Sequence, residues 1–255
     1  MTDVARTIIA AHRGGALEVP ENSPTSFRHA AGLAVDYVEF DVHPSADGRL
    51  VVHHDAVFGR MTDLTGPVAS TPWADIARAK IKGTDGERPL LLDEVIDVFE
   101  PTAIDLRLEI KPDVEGVPYP GLEAEIAKAL LRRQMLPRTL ISAFNIDTLA
   151  RFRDIAAPKD FLWLVSPQTF RQIGGIGSVL AIAQRFNIPE IAPRIQVISE
   201  SVVGAGKAAG IRVGAYAVNE EADIRAMLAL GVSAFTSDRP TLALKLRDEL
   251  SLVQV

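Results

Sequence analysis

Side chains able to do acid–base or metal chemistry recur at the ends of short apolar runs in the first half of the chain. They are His12, Arg13, Glu39, Asp41, His54, Glu109 and Lys111. Residues two apart in a strand point to one face, so Glu39 and Asp41 share a face. Glu109 and Lys111 share one for the same reason. Carboxylates, histidines and cations at strand ends indicate metal-assisted chemistry on a phosphate ester.

The three carboxylates are the candidate metal ligands. Glu39, Asp41 and Glu109 offer hard oxygen atoms, which suit Mg²⁺ or Ca²⁺ better than a soft metal. The simpler alternative is a network of ion pairs with Arg13 and Lys111. Three carboxylates on adjacent strands favour one divalent cation, although the sequence does not choose between the two ions.

His12 and His54 are the candidate acid–base pair, because imidazole titrates close to neutral pH. The other three histidines are weaker candidates. His29 falls within a predicted helix, His53 alternates to the face opposite His54, and His43 follows a strand end.

Two cations suit a phosphoryl group bound at this site. Arg13 offers a planar fork of donors and Lys111 a compact charge. Further residues are expected beside these groups or in a pocket wall: Glu21, Asn22, Asp55, Phe144, Trp163 and Tyr216. Glu21 and Asn22 precede Pro24 at a predicted helix start, so helix capping is the alternative for them. An aromatic wall would suit a quaternary ammonium group.

Apolar strand-like runs alternate with helix-period stretches from end to end. The predicted strands are Thr7–Ala11, Asp36–Val42, Asp105–Ile110, Arg138–Ser142, Asp160–Leu164, Pro189–Ala192, Arg212–Ala217 and Ser233–Thr236. The predicted helices are Pro24–Gly32, Leu92–Glu100, Gly121–Met135, Asn145–Asp154, Thr169–Phe186, Glu200–Ala209, Glu220–Leu230 and Pro240–Leu250. Such alternation implies parallel strands joined by right-handed crossovers.

Eight strand–helix units in 255 residues predict an α/β fold, a (β/α)8 TIM barrel forming one domain over residues 1–255. A doubly wound open sheet is the rival, but Gly14-Gly15 lacks the glycine spacing of its nucleotide-binding turn. Residues 43–104 contain a small insertion between the second and third strands. Within it, Arg49–His54 alternates like an extra strand and Trp73–Lys82 is predicted to be a short helix. Such an excursion is typical of a functional lid.

Composition excludes several classes of protein. The net charge of −6 argues against a sequence-independent nucleic-acid binder. The chain has no cysteine, which excludes disulfides and thiolate chemistry. We expect a cytoplasmic protein without stable membrane insertion, because the N-terminal residues do not resemble a signal peptide and apolar runs are short. The oligomeric state cannot be predicted.

Taken in order, the motifs resemble the glycerophosphodiester phosphodiesterases from Ala11 to Pro240. They are AHRGG, PENSPTSF, YVEFDVHPSADGRLVVHHD, RPLLLDEV, LEIK, ISAF, AYAVN and TSDRP. The resemblance implies a barrel hydrolase of lipid and glycerol metabolism. Such enzymes release an alcohol and sn-glycerol 3-phosphate with a divalent cation. It also implies an insertion near the active site, matching residues 43–104.

Carried over by motif, His12 and His54 match the family's acid–base histidines. Its metal ligands match Glu39, Asp41 and Glu109, and its phosphate contacts match Arg13 and Lys111. Two positions depart from the family: Tyr216 replaces a Trp, and Ser23 replaces a Thr. The first bears on the pocket wall, and neither is a metal or histidine position.

Several alternatives stay open. A phospholipase D-like lyase acting on intact phospholipids is a second enzyme class, and a non-catalytic phosphodiester-binding barrel is a third possibility. An unrelated barrel enzyme would not bring the motif residues together at one mouth. The sequence leaves undecided the preferred alcohol, which histidine is the base, and whether water attacks directly or a cyclic phosphate forms first.

Overall fold

A computed structural model of the chain describes residues 6–253. Its strands are β1 (Ile8–His12), β2 (Tyr37–Pro44), β3 (Leu50–Val52), β4 (Val57–Phe58), β5 (Gly66–Pro67), β6 (Leu90–Leu91), β7 (Asp105–Ile110), β8 (Thr139–Ala143), β9 (Asp160–Val165), β10 (Glu190–Pro193), β11 (Arg212–Val213) and β12 (Ala234–Ser237). Its helices are α1 (Pro24–Ala31), α2 (Trp73–Ile76), α3 (Leu92–Phe99), α4 (Leu122–Arg132), α5 (Ile146–Ile155), α6 (Pro167–Gln172), α7 (Ile176–Arg185), α8 (Glu200–Ala209), α9 (Glu221–Leu230) and α10 (Pro240–Val253).

Eight parallel strands form the predicted barrel. Their order is β11-β10-β9-β8-β7-β2-β1-β12. A parallel bridge between Ala215 and Phe235 joins the two ends of this order and closes the sheet. β11 is shorter than predicted, because only Arg212 and Val213 form its ladder and Tyr216 makes an isolated bridge to Arg194.

The insertion between β2 and β7 contains the extra strand. β3 pairs antiparallel with β2, and β6 adds to β3. The predicted helix Trp73–Lys82 is wrong in length, since α2 ends at Ile76. Beyond it, the amide of Lys80 donates to Asp63 Oδ1 at 2.7 Å and that of Lys82 to the Met61 carbonyl at 2.7 Å. Pairing across the insertion replaces further helical hydrogen bonds.

The predicted helix Thr169–Phe186 is two helices, α6 and α7. Gly174 and Gly175 lie between them with φ of 99° and 81°. This left-handed region is open to glycine and strained for other residues, so two successive glycines end one helix and start another. The apolar periodicity continues across the break, which is why the sequence pattern did not reveal it.

Two apolar layers hold the barrel. The outer core lies between sheet and helices, where Phe27 packs edge-on against Phe40 and Phe99 with ring centroids 6.0 Å apart. The inner core includes Tyr37, Leu140 and Leu162. Tyr37 precedes Glu39 and Asp41 on one face of β2, so the polar side chains follow towards the C-terminal end of the barrel. Among residues 6–253, no helix combines the length and apolar character needed to cross a bilayer.

Candidate active site

The three predicted metal ligands meet at the C-terminal end of β2 and β7. Asp41 and Glu109 are direct neighbours in the parallel register, and Glu39 lies two residues before Asp41. All three are buried, and one oxygen from each lies within 4.8 Å of the others. This group is an acidic triad to which a metal ion could bind.

The electrostatics of the triad fit a divalent cation. Burial raises the pKa of Glu39, and the charges of Asp41 and Glu109 raise it further. The pKa of Asp41 is lowered even though burial opposes this, because Lys111 and Arg13 lie 3.4 and 3.5 Å from its oxygens. No group within residues 6–253 donates a hydrogen bond to Asp41 Oδ1. Buried carboxylates packed this closely repel one another, and an oxygen-only donor set suits Mg²⁺ or Ca²⁺.

His12 ends β1 and is held by a carboxylate from the last barrel strand. Its Nδ1 donates to Asp238 Oδ1 at 2.5 Å, while Nε2 lies 3.7 Å from Glu39 Oε2. Asn219 holds Asp238 in turn, with Nδ2 donating to Asp238 Oδ2 at 2.5 Å. Burial lowers the pKa of His12, but Glu39 and the bond to Asp238 outweigh it and the pKa is raised. The ring therefore has a fixed orientation, with Nε2 free to face a substrate.

His54 lies in the insertion and has the same arrangement. Its Nδ1 donates to Asp55 Oδ1 at 2.6 Å, and Arg60 Nε donates to Asp55 Oδ2 at 2.7 Å. Arg60 also donates to both oxygens of Glu21, at 2.6 and 3.0 Å. Glu21 accepts from Arg13 Nη1 at 2.9 Å, so an unbroken chain of charges connects the insertion to the phosphate-binding candidates.

Asn22 supports the acidic triad directly. Its Nδ2 donates to Asp41 Oδ2 at 3.0 Å, and its backbone has φ of 49°. The capping alternative applies to the next residue instead, because Ser23 is the N-cap of α1 and its side chain accepts from the amide of Ser26. Glu21 and Asn22 therefore hydrogen-bond to Arg13 and Asp41 and do not cap the helix.

The remaining histidines have structural contacts. His43 accepts from Tyr119 at 3.1 Å and donates from Nε2 to the carbonyl of His54 at 3.2 Å. Burial lowers the pKa of His43 to about 4 and that of His53 to about 4. His29 pairs with Glu18 at 2.7 Å, away from the triad. Through its bond to the His54 carbonyl, His43 holds the backbone of His54 in place.

A cavity of about 230 Å³ at the mouth of the barrel is lined by five of the predicted site residues: His12, Arg13, Glu39, His54 and Glu109. Lys111 lies behind the cavity wall, where its Nζ donates to Glu109 Oε1 at 2.8 Å. Phe144 and Tyr216 line it as predicted, with ring centroids 5.6 Å apart and edge-to-face geometry. Trp163 does not line it, a correction to the predicted wall. Its ring belongs to the outer core and its Nε1 donates to the Phe144 carbonyl at 3.0 Å, so it supports the wall from behind.

Several polar residues of this site were missed by the sequence analysis: Arg60, Arg107, Arg194, Asn219, Asp238 and Thr236. Two had a usable signal. Arg107 is two residues before Glu109, and Asp238 is two residues after Thr236, so strand alternation points each into the barrel. Arg60 lies in irregular backbone, which has no such periodicity.

Comparisons with known proteins point to one family. The sequence model of the glycerophosphoryl diester phosphodiesterase family matches residues 12–242. A glycerophosphodiester phosphodiesterase of Caldanaerobacter subterraneus is 30% identical over 92% of this chain and 95% of its own length. An Agrobacterium tumefaciens structure assigned to the same class superimposes with a TM-score of 0.94 at 38% identity, covering 96% of this chain and 99% of that one.

A second solved structure contains a bound product. It is an Oleispira antarctica phosphodiesterase in complex with sn-glycerol-3-phosphate, with a TM-score of 0.79 and 27% identity. The match covers 94% of this chain and 96% of that one. Both matches cover more than nine-tenths of each chain.

Proposed function

The chain belongs to the glycerophosphoryl diester phosphodiesterase family, and on that premise we propose that it hydrolyses glycerophosphodiesters to an alcohol and sn-glycerol 3-phosphate. We propose further that the reaction depends on one divalent cation and on His12 and His54 as acid and base. One observation carries the proposal. Two histidines, each oriented at Nδ1 by an aspartate, line the same cavity as two of the three carboxylates.

The acidic triad is the proposed cation site. Glu39, Asp41 and Glu109 would hold Mg²⁺ or Ca²⁺. The bound ion would supply positive charge for the phosphoryl oxygens and lower the pKa of a nearby hydroxyl. Asn22 and Lys111 hydrogen-bond Asp41 and Glu109, respectively, and so fix the carboxylates for this role.

The histidines move the protons in the proposed reaction. One Nε2 takes the proton of the attacking hydroxyl as its oxygen bonds to phosphorus. The other gives a proton to the oxygen of the departing alcohol as the bond between that oxygen and phosphorus breaks. Arg13, held against Glu21, and Lys111 stabilise the charge that remains on the phosphoryl oxygens.

The test is release of sn-glycerol 3-phosphate from a panel of deacylated diesters. The panel is run with EDTA, with Mg²⁺ and with Ca²⁺. We expect release that requires an added cation, and a variant His12→Ala that retains the fold but loses turnover by a factor of roughly 10² to 10⁴. Near-normal turnover by that variant contradicts the histidine assignment.

The same panel separates the alternatives. Diester binding without product under any metal condition indicates a non-catalytic barrel. Activity on intact choline lipids in vesicles, with none on deacylated diesters, indicates a lyase. Formation of a cyclic glycerophosphate before glycerol 3-phosphate identifies the glycerol 2-hydroxyl as the nucleophile, and its absence in rapid-quench samples favours water.

A further inference from the structure

Arg107 is a buried arginine that lines the cavity without a matching carboxylate. It is 2% exposed, and its register partner in β2 is Glu39. Among the described residues its Nε has no hydrogen-bond partner, and the ring of Tyr37 lies 5.4 Å from the guanidinium carbon. No ion pair includes Arg107 in the part of the chain that the structure describes. Buried charges are normally paired, so this guanidinium has unused binding capacity.

The nearby carboxylates are already engaged. Glu109 accepts from Lys111 at 2.8 Å, and Glu39 accepts from the Arg13 amide at 3.1 Å. Asp105, on the same face of β7, is 3.3 Å from Arg138 Nε and also pairs with Lys159. The protein therefore supplies other cations to the carboxylates on either side of Arg107.

Other polar groups line the same cavity. The buried hydroxyl of Thr236 has no hydrogen-bond partner among the described residues, and the hydroxyl of Ser142 donates to the Leu108 carbonyl at 3.3 Å. Arg194 adds a second, exposed guanidinium beside Tyr216. Two cations and two hydroxyls thus face one cavity in addition to the groups assigned to the phosphoryl transfer.

We propose that Arg107 and Arg194 form a basic subsite for the departing alcohol, and that this alcohol carries an anionic group of its own. The inference rests on the proposed function, because it assigns the second half of the same diester. A fork of donors meeting a phosphate or carboxylate forms paired, charge-assisted hydrogen bonds. The Thr236 hydroxyl is placed to donate to a remaining oxygen of this group, and the Ser142 oxygen can accept from a hydroxyl of the alcohol.

The subsite decides between two classes of alcohol. Phe144 and Tyr216 alone would suit a choline head group through their ring faces. Two guanidinium groups in the same partly enclosed cavity repel a quaternary ammonium. This repulsion is stronger than at an open surface, because little water is present to screen it. Charge therefore overrides the aromatic wall and selects against cationic alcohols.

The test compares three diesters that share glycerophosphate and differ in the charge of the alcohol. They are 1,3-bis(glycerophospho)glycerol, glycerophosphoglycerol and glycerophosphocholine. Two readouts are used: kcat/KM with the activating cation, and Kd by calorimetry on the protein in EDTA. The variants are Arg107→Met, Arg107→Lys and Arg194→Met, and the matched control is Arg185→Met, at an exposed residue that ends α7.

We expect the anionic diester to rank first and the choline diester last. Arg107→Met should lower the anionic-to-neutral ratio of kcat/KM roughly 10- to 100-fold, the effect of losing a charge-assisted hydrogen bond. Arg194→Met should lower it only about two- to fivefold, because that side chain is solvated. Arg107→Lys should recover part of the ratio, and Arg185→Met should leave it unchanged.

Two results overturn the subsite. One is a choline diester processed as well as the anionic diester by the native protein. The other is a ratio that neither Arg107→Met nor Arg194→Met changes. If none of the diesters is hydrolysed, the proposed function fails, and the calorimetric ratio in EDTA still decides whether the basic subsite exists.

Discussion

Replacing Asp238 by asparagine tests how His12 is held. Asp238 accepts from two donors, His12 Nδ1 at 2.5 Å and Asn219 Nδ2 at 2.5 Å. The backbone amide of Asp238 donates to Asn219 Oδ1 at 2.8 Å, so the side-chain amide of Asn219 cannot flip without losing that bond. The new side-chain NH₂ must face one of the two donors. Either the bond to His12 or the bond to Asn219 is lost, while the size of the side chain is conserved.

The expected loss follows from the kind of bond removed. A hydrogen bond to a charged group contributes about 1.5–3 kcal/mol. At about 1.36 kcal/mol per tenfold change in rate, Asp238→Asn should lower kcat/KM roughly 10- to 150-fold. The variant should stay folded, because the exchange conserves side-chain size and removes no large apolar group, but the lost bond should lower the melting temperature by several degrees.

The pH profile should change in a direction that identifies the role of His12. Burial lowers the pKa of His12, and Glu39 and Asp238 together raise it above its ordinary value. Removing the Asp238 charge therefore lowers this pKa. A base must be unprotonated, so for a base the acid limb of the profile moves to lower pH. An acid must be protonated, so for an acid the alkaline limb moves to lower pH.

The assay is kcat/KM for a deacylated diester across pH, with Asp154→Asn as the matched control. Asp154 is an exposed carboxylate on α5, and the same exchange there should change neither rate nor profile. The reasoning fails if Asp238→Asn retains native kcat/KM, or if either limb moves to higher pH. If only the acid limb moves, His12 is the base and His54 the acid. If only the alkaline limb moves, the roles are reversed.

Three further predictions concern His54, the cation site and the first turn after β1. His54→Ala should lower kcat roughly 10² to 10⁴-fold without changing the melting temperature, and a smaller loss would remove it from the acid–base pair. Glu109→Gln should weaken Mg²⁺ or Ca²⁺ binding at least about tenfold by calorimetry, and native affinity would exclude Glu109 as a ligand. Gly14→Ala should lower the free energy of unfolding by about 2–5 kcal/mol, because φ is +82° and a Cβ would lie 2.7 Å from Ser26. Gly48 is the matched control, because its φ is +75° but a Cβ there would meet no atom within 4 Å. Gly48→Ala should therefore lower the free energy of unfolding by only about 1–2 kcal/mol in denaturant titrations, and equal losses for the two variants would contradict the steric argument.

The barrel and its acidic triad could be predicted because both depend on local periodicity. Short apolar runs of strand length alternate with helical stretches, and alternation within β2 and β7 places Glu39, Asp41 and Glu109 on the inner face. Parallel strands then bring their C-terminal ends to one edge. The break between α6 and α7 was missed because the helical periodicity resumes in phase after the glycines.

The long-range partners of the histidines depend on how the barrel closes. His12 and Asp238 are 226 positions apart, and they meet because β1 pairs with β12. Alternation at β12 would have placed Asp238 inside the barrel, but only closure makes it a neighbour of His12. Arg60 had no comparable signal, since its position depends on the folded path of the insertion. Residues were therefore predictable where a strand or a sequence neighbour positions them, as for Asp55 beside His54. Partners that meet only through barrel closure or the path of the insertion, Asp238 and Arg60, were not predicted.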